Sequence, residues 1–190
     1  HLGVFFNHTG HHIASWRHPD AQADAAVNLQ HYMELAKLAE TACLDFCFFA
    51  DASGVREAPF EVLSRSAQYT AYFEPITLLT AMSTVTKKIG LVATASTSYY
   101  EPYNIARLFA SLDHISAGRA GLNVVTGGDP SASKNFGREE HYDHDERYLR
   151  AAEFIEVLKG LWDSWDDDAF VRDKTSGVFF DPKQVHHLNH

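Results

Sequence analysis

The sequence predicts an α/β protein in which strands and helices alternate and the strands run parallel. Four short apolar runs are separated by segments whose apolar residues recur at helical spacing. The second run, residues 46–50, is apolar at every position, which is typical of a strand covered on both faces. Polar side chains follow these runs. Alternation of this kind implies right-handed crossovers between parallel strands.

The elements follow one another without an internal repeat. Strands are predicted at 2–6, 46–50, 89–93 and 120–125. Helices are predicted at 27–42, from Pro75 and from Pro102, because proline suits the first turn of a helix, and at 145–162. Gly118 is a plausible end for the third helix. A stripe of Tyr148, Ala151, Ile155, Leu158 and Trp162 is predicted to face the core.

Two architectures fit this order, an open doubly wound sheet and part of an eight-stranded (β/α)8 barrel. Asp51, Thr94 and the pair Asn123 and Thr126 fall at the carboxyl ends of successive predicted strands. A barrel gathers such residues around one mouth, whereas a doubly wound sheet uses mainly the crevice where its strand order reverses. Neither a Gly-x-Gly-x-x-Gly nor a Gly-x-x-x-x-Gly-Lys motif is present, which disfavours nucleotide binding of those two kinds.

The chain supplies only four βα units, although a full barrel needs about 250 residues. We therefore expect residues 1–190 to form one domain, the N-terminal half of a barrel, in a protein that continues past His190. Residues 165–190 are expected to be an insertion with one short hairpin, at 170–171 and 178–180.

Composition excludes several classes of protein. The 16 basic and 25 acidic side chains give a formal charge of −9, which argues against nucleic-acid binding. No apolar run approaches the roughly 18 residues of a membrane span, and the first residues do not resemble a signal peptide. Cys43 and Cys47 match no common zinc or redox spacing, so we expect buried, reduced thiols in a cytoplasmic protein.

Five motifs occur in register over essentially the whole length of the chain. They are Trp16-Arg17-His18-Pro19, Phe49-Ala50-Asp51, Gly118 to Thr126, Asn135-Phe136-Gly137 and His144-Asp145-Glu146-Arg147-Tyr148. With these motifs the chain resembles the nitrilotriacetate/dibenzothiophene-sulfone monooxygenase branch of the bacterial luciferase-like superfamily, whose members are interrupted (β/α)8 barrels. These enzymes take reduced flavin mononucleotide (FMN) from a separate NAD(P)H:flavin reductase and use O2 to oxidise small organic substrates.

The resemblance implies roles for five residues. Asp51 and Thr94 match residues expected to approach the flavin, and Asn123 would line the same cavity beneath the ring as a catalytic residue. His144 and Tyr148 are expected to contact the ribityl-phosphate end, and a helix N-terminus favours an anion. The small residues that complete the family's phosphate site would lie beyond His190.

Each of these residues also has a structural explanation. Asp51 could cap a turn, Thr94 could be an ordinary strand residue, and Asn123 could bond a neighbouring strand. His144 could simply start a helix, and Tyr148 could belong to the core.

Histidines of the loop after the first strand are further candidates, namely His8, His11, His12 and His18. His11 or His12 is the best candidate for a general acid–base or a substrate hydrogen bond, although an exposed loop histidine is an equally good explanation. The first strand lacks the His-x-His of metal-dependent barrel hydrolases, so no metal site is expected.

The loops after the second and third strands are rich in aromatic residues, which could line a ligand site or pack as a lid. They are Tyr69, Tyr72, Phe73, Tyr99, Tyr100 and Tyr103. The chain also has Gly127-Gly128 where relatives often have Ser followed by a polar residue, and Leu122 where they often have Trp. The substrate-facing surface is therefore expected to differ from theirs.

The leading hypothesis is the oxygenase component of a two-component system that uses reduced FMN and O2 on a small sulfur- or nitrogen-containing substrate. The resemblance implies a homo-oligomer. A non-catalytic flavin-binding barrel, a deazaflavin-dependent oxidoreductase of the same fold and a metal hydrolase are the alternatives.

Overall fold

The computed structural model describes residues 1–68 and 70–190, and its centre is a parallel sheet of four strands. The strands are β1 (Gly3–Phe5), β2 (Phe46–Phe49), β3 (Gly90–Ser96) and β4 (Ala120–Val125). They are hydrogen-bonded in the order β1-β2-β3-β4, so each strand lies beside its neighbour in the sequence. In a doubly wound sheet the order of the strands reverses at a switch point, whereas in a barrel each strand lies beside its neighbour in the sequence.

Helices connect the strands and pack on one another around the sheet. They are α1 (Leu29–Thr41), α2 (Phe60–Leu63), α3 (Pro75–Ser83), α4 (Pro102–Ser116) and α5 (His144–Trp162). Contacts run from α1 to α3, from α3 to α4 and from α4 to α5, while α3 and α4 also contact β3 and β4 respectively. The predicted prolines at the first positions of α3 and α4 are confirmed.

The two faces of the sheet differ in burial. On the helix side, Cys47, Leu91 and Ala93 are fully buried against helix residues such as Leu79 and Leu112. This face holds the core, because burying large apolar side chains stabilises a fold by roughly 1.5–3 kcal/mol each. On the opposite face, residues in register such as Phe48 and Val92 remain partly exposed.

Arg119 stabilises the amino end of the sheet. Its guanidinium donates five hydrogen bonds of 2.7–3.3 Å, to four backbone carbonyls and one hydroxyl. The acceptors belong to the ends of α3 and α4 and to the turn before β3. The planar fork of arginine suits such a set of acceptors better than lysine does.

Some sequence predictions differ from the structure. β3 runs on to Ser96, so Thr94 lies inside the strand and not at its end. The hairpin predicted at 170–171 and 178–180 forms no strands, and its antiparallel pairing is limited to the bridge Asp173–Val178 and a hydrogen bond from Arg172 N to the Phe179 carbonyl. On α5 the buried residues are Ala151, Phe154 and Leu158, whereas Tyr148 is 57% exposed.

The cysteines differ in burial, although both were expected to be buried. Both thiols are free, but only Cys47 is buried, and Cys43 is exposed in a left-handed backbone conformation. Burial raises the pKa of the Cys47 thiol to about 12, so this side chain acts as a small apolar core residue.

Candidate functional site

A cavity lies at the carboxyl end of the sheet, between the loops that follow β2 and β4. It has a volume of about 820 Å³, within the roughly 300–1,000 Å³ of typical ligand sites. Backbone and small side chains form most of its wall. The residues that line it include Ala50, Asp51, Ser53, Gly54, Arg56, Ser96, Tyr99, Gly127, Gly128, Ser131 and His141.

Close packing holds the two loops against each other. A Cβ atom on Gly54 would lie 2.9 Å from the backbone nitrogen of Ala132, so only glycine allows this approach. Asn135 Nδ2 donates to the Ser53 carbonyl at 2.8 Å, which joins the same two loops. Asp129 begins the short 3-10 helix Pro130–Phe136 by accepting a hydrogen bond from the backbone nitrogen of Ser131.

Asp51 lines the cavity directly after β2, as its predicted place at a strand end requires. Burial raises the pKa of its carboxyl, and the charge of Glu74 acts in the same direction. The Tyr72 hydroxyl donates to Asp51 Oδ1 at 3.4 Å, and this hydrogen bond acts to lower the pKa. A half-buried carboxylate at a cavity wall is a ready acceptor for polar ligand groups.

Thr94 and Asn123 form a hydrogen-bonded pair across β3 and β4. The two residues are partners in the strand register, and Asn123 Nδ2 donates to Thr94 Oγ1 at 3.0 Å. Thr94 Oγ1 in turn donates to the Phe49 carbonyl at 2.7 Å, which extends the chain of bonds to β2. Neither residue is among those lining the cavity, where Ser96, two residues beyond Thr94 on the same face, stands instead.

The Gly127 carbonyl accepts hydrogen bonds from two side chains. His141 Nε2 lies 2.8 Å from this oxygen and Arg147 Nη1 lies 2.9 Å from it. Because a carbonyl only accepts, Nε2 of His141 carries a proton. Nδ1 of a neutral His141 is then the acceptor for the Tyr99 hydroxyl, its other partner.

His144 and Tyr148 lie at the start of α5 but not in the cavity wall. Their rings contact each other, with centroids 4.7 Å apart. His144 is also paired with its neighbour Asp145 at 2.9 Å, and both rings are largely exposed. The predicted pairing at spacing i, i+4 is therefore present, while Arg147 of the same turn is the residue that reaches the cavity loop.

His11 lies apart from the cavity. Its ring meets the edge of Phe5 at 4.8 Å between centroids, and its carbonyl accepts a bond from Gln68 Nε2. His8 is half-buried, its Nδ1 lies 2.9 Å from the Tyr32 hydroxyl, and partial burial lowers its pKa. The structure does not bring His11 together with Asp51, although both were predicted to serve one site.

Sequence reasoning missed several residues of the cavity wall, among them Ser96, Tyr99 and His141 as hydrogen-bonding groups. For Arg147 a signal was available. A cation in the first turn of a helix opposes the helix dipole, so its presence there requires another reason. Of the aromatic candidates, Tyr99 lines the cavity, Tyr103 is exposed, and Tyr69 lies outside the described residues.

Ser131 gives the cavity a polar atom without a partner. Its Oγ is buried and makes no hydrogen bond within residues 1–68 and 70–190. An unsatisfied buried hydroxyl costs about 1–3 kcal/mol unless a ligand or water completes it. The carboxylate of Asp51 and the glycine-rich wall leave the cavity open to a ligand with hydrogen-bonding groups.

Within the described ranges, no three His, Cys, Asp or Glu side chains lie together as metal ligands would. The helices of the described part of the chain include none that is long and apolar enough to cross a membrane.

Comparison with known proteins gives consistent matches. Residues 9–187 match the family model described as luciferase-like monooxygenase. The chain is 56% identical over its full length to N-acetyl-S-(2-succino)cysteine monooxygenase of Bacillus subtilis, and covers 42% of that protein. It is 47% identical to nitrilotriacetate monooxygenase component A of Aminobacter aminovorans, again over its full length, and covers 43% of it.

A solved structure shows the same fold. Riboflavin lyase, crystallised with a modified FMN and its substrate riboflavin, superposes with a TM-score of 0.91 at 39% identity. All of this chain and 43% of the lyase chain are covered. The chain thus spans about two fifths of the length of the proteins it matches.

Proposed function

Since the chain belongs to the luciferase-like monooxygenase family, we propose that its protein is the oxygenase component of a two-component flavin-dependent monooxygenase. The substrate is a small organic molecule that contains sulfur or nitrogen. The observation that carries the proposal is the cavity beside Asp51 at the carboxyl end of the sheet, where barrel enzymes hold their ligands.

Family membership confirms two predictions made from the sequence. The fold is the luciferase-like α/β barrel, of which this chain forms the first four βα units, and the family is the predicted one. The division of the chain into a half-barrel of residues 1–190, with an insertion at 165–190, stays a prediction.

The cofactor proposed is FMN in its reduced form, which activates O2 when bound. Asp51, in the cavity wall, is proposed to accept a hydrogen bond from the flavin. Thr94 and Asn123 are proposed to support the site from the neighbouring strands, through their bond to each other.

The proposed roles of His144, Tyr148 and His11 have different degrees of structural support. His144 and Tyr148 lie in the first turns of α5, and a helix N-terminus favours an anion, which supports contact with the outer end of the flavin. His11 lies in a separate groove beside Phe5, so its proposed acid–base role depends on a substrate that extends to this groove.

Partners and location complete the proposal. A separate NAD(P)H:flavin reductase would supply reduced FMN, and the name component A of the Aminobacter relative supports a system of several components. We propose a homo-oligomer in the cytoplasm, where the two free thiols would stay reduced. The names of two relatives specify a sulfur-containing and a nitrogen-containing carboxylic acid, which supports the substrate class.

The test uses the full-length protein with a flavin reductase, NADH, FMN and ¹⁸O2. We expect one ¹⁸O atom in the product of a thioether or tertiary-amine carboxylic acid, and dependence on reduced FMN. Binding of FMN without oxygen transfer to any such acid would instead support the non-catalytic barrel. Turnover that requires a deazaflavin and ignores O2 would support the oxidoreductase alternative.

A further inference from the structure

Gly127 and Gly128 are adjacent in the cavity wall but differ in their need for glycine. Gly127 has φ +61°, and a Cβ atom there would lie 2.8 Å from Ser96 Oγ. Gly128 has no such backbone constraint, and its Cβ would meet only Arg147 Nη1, at an ordinary 3.9 Å. The fold therefore requires glycine at 127 and not at 128, where a side chain would enter open space beside the Arg147 guanidinium. Arg147 is adjacent to Gly128 but is not itself among the residues that line the cavity.

The Arg147 guanidinium is half-buried and lacks a counter-ion. It donates to the carbonyls of Gly127 at 2.9 Å and Asp143 at 3.2 Å, both of which are neutral groups. Among residues 1–68 and 70–190, no carboxylate oxygen forms an ion pair with it. Asp143 turns its own carboxylate to the backbone nitrogen of Glu146. A partly desolvated cation without a counter-ion favours binding of an anion.

The acidic groups of the cavity wall are not counter-ions of Arg147. Asp129 bonds the backbone nitrogen of Ser131, and Glu57 pairs with Lys134 at 3.6 Å. Asp51 bonds Tyr72 on the other side of the cavity mouth, after β2. Arg56 adds a second positive charge to the wall.

We propose that Arg147, uncovered by the glycine at 128, is the subsite that binds a carboxylate group of the substrate. The inference rests on the proposed function and names its substrate class as carboxylic acids. Gly128 sets the space available to that carboxylate, and Arg147 supplies its charge and donors. Substitution of either residue then changes which molecules bind.

Binding of succinate to the flavin-free, full-length protein tests whether the positive charge of Arg147 binds a carboxylate. Titration calorimetry compares succinate with succinamide, which has nearly the same shape and no charge. We expect succinate to bind more tightly, and Arg147→Gln to weaken it about tenfold or more, since a hydrogen bond to a charged group is lost. Lys159→Gln removes an exposed charge from the same helix and should leave the affinity unchanged. Equal binding of the two probes would overturn the proposal.

Substitution of Gly128 tests whether the carboxylate needs the space beside this glycine. Gly128→Phe should abolish succinate binding, while far-UV circular dichroism and a urea-unfolding midpoint like those of the parent show that the variant is folded. FMN and riboflavin are compared in Arg147→Gln as well. If this variant loses affinity for FMN but not for riboflavin or succinate, Arg147 binds the flavin phosphate and the substrate assignment is wrong. These measurements do not use turnover, so a failure of oxygenation would leave their result intact.

Discussion

Asn123 Nδ2 lies 3.0 Å from Thr94 Oγ1, and this bond joins the two strands next to the cavity. The Thr94 hydroxyl also donates to the Phe49 carbonyl, so the hydrogen bonds extend to β2. Thr94 is only 4% exposed, so water cannot replace these bonds if the hydroxyl is removed. The pair therefore fixes the relative position of three strands whose loops form the candidate flavin site.

Thr94→Val is expected to destabilise the protein by about 1–3 kcal/mol, because it leaves the Asn123 amide and the Phe49 carbonyl without a partner. Thr94→Ser keeps the hydroxyl and should lose less. Urea unfolding of the full-length variants measures the difference. Equal stability of the Val and Ser variants would show that the bonded pair does not stabilise the sheet.

Asp51→Asn should stabilise the protein at neutral pH while weakening FMN binding. Burial raises the folded-state pKa of Asp51 above its unfolded value, so folding becomes less favourable as pH rises through that window. The stability of the variant relative to the parent should then be larger at pH 7 than at pH 3. Urea unfolding at both pH values checks the sign, and a variant less stable at pH 7 would contradict it.

Gly127→Ala should cost about 1–2 kcal/mol, because it places a Cβ atom in the left-handed region and against Ser96 Oγ. Gly128→Ala is the matched control, since its Cβ would meet nothing closer than 3.9 Å. Thermal unfolding of both variants compares the two adjacent positions. Similar losses at both would mean that the difference in backbone conformation has no energetic consequence.

Neutral His141 is expected as the tautomer protonated at Nε2, because the Gly127 carbonyl accepts from that nitrogen. The ¹⁵N chemical shifts and long-range couplings of the imidazole report this directly. Tyr99→Phe removes the donor to Nδ1 and should leave the tautomer unchanged, since the carbonyl alone selects it. A ring protonated at Nδ1 in the parent protein would be the contrary result.

Arg119→Lys should destabilise the protein by about 2–4 kcal/mol without changing its affinity for FMN. Lysine cannot supply five donors to the carbonyls and hydroxyl at the amino end of the sheet. Arg107→Lys, at an exposed position of α4, is the control. Loss of FMN affinity in a folded Arg119→Lys protein would place this residue nearer to function than its position suggests.

Hydrophobic periodicity was enough to predict the four longer helices and the four strands, but the short helix α2 was missed; β4 was predicted to the residue. Its apolar run is bounded by Gly118 and by the polar residues from Thr126 onward, and such boundaries are visible in a sequence. The end of β3 was missed because Ser96 reads as loop, although pairing with Val125 keeps it in the strand. Tertiary pairing overrides local composition at such positions.

The sequence predicted a residue of the candidate site only where that residue lies just after the end of a strand. Asp51 follows β2 directly and lines the cavity as expected. The roles of Gly128 and Arg147 depend on the approach of two segments far from β2 in sequence, and periodicity carries no information about such contacts. For Asn123, the bond to Thr94 confirms the structural explanation, a hydrogen bond to a neighbouring strand, and its role beneath the flavin ring stays a prediction.

The most direct test is a crystal structure of the full-length protein with FMN bound. The account predicts that the isoalloxazine ring lies in the cavity between the loops after β2 and β4, in contact with Asp51. Electron density for the ring elsewhere, with Asp51 still bonded only to Tyr72, would contradict it.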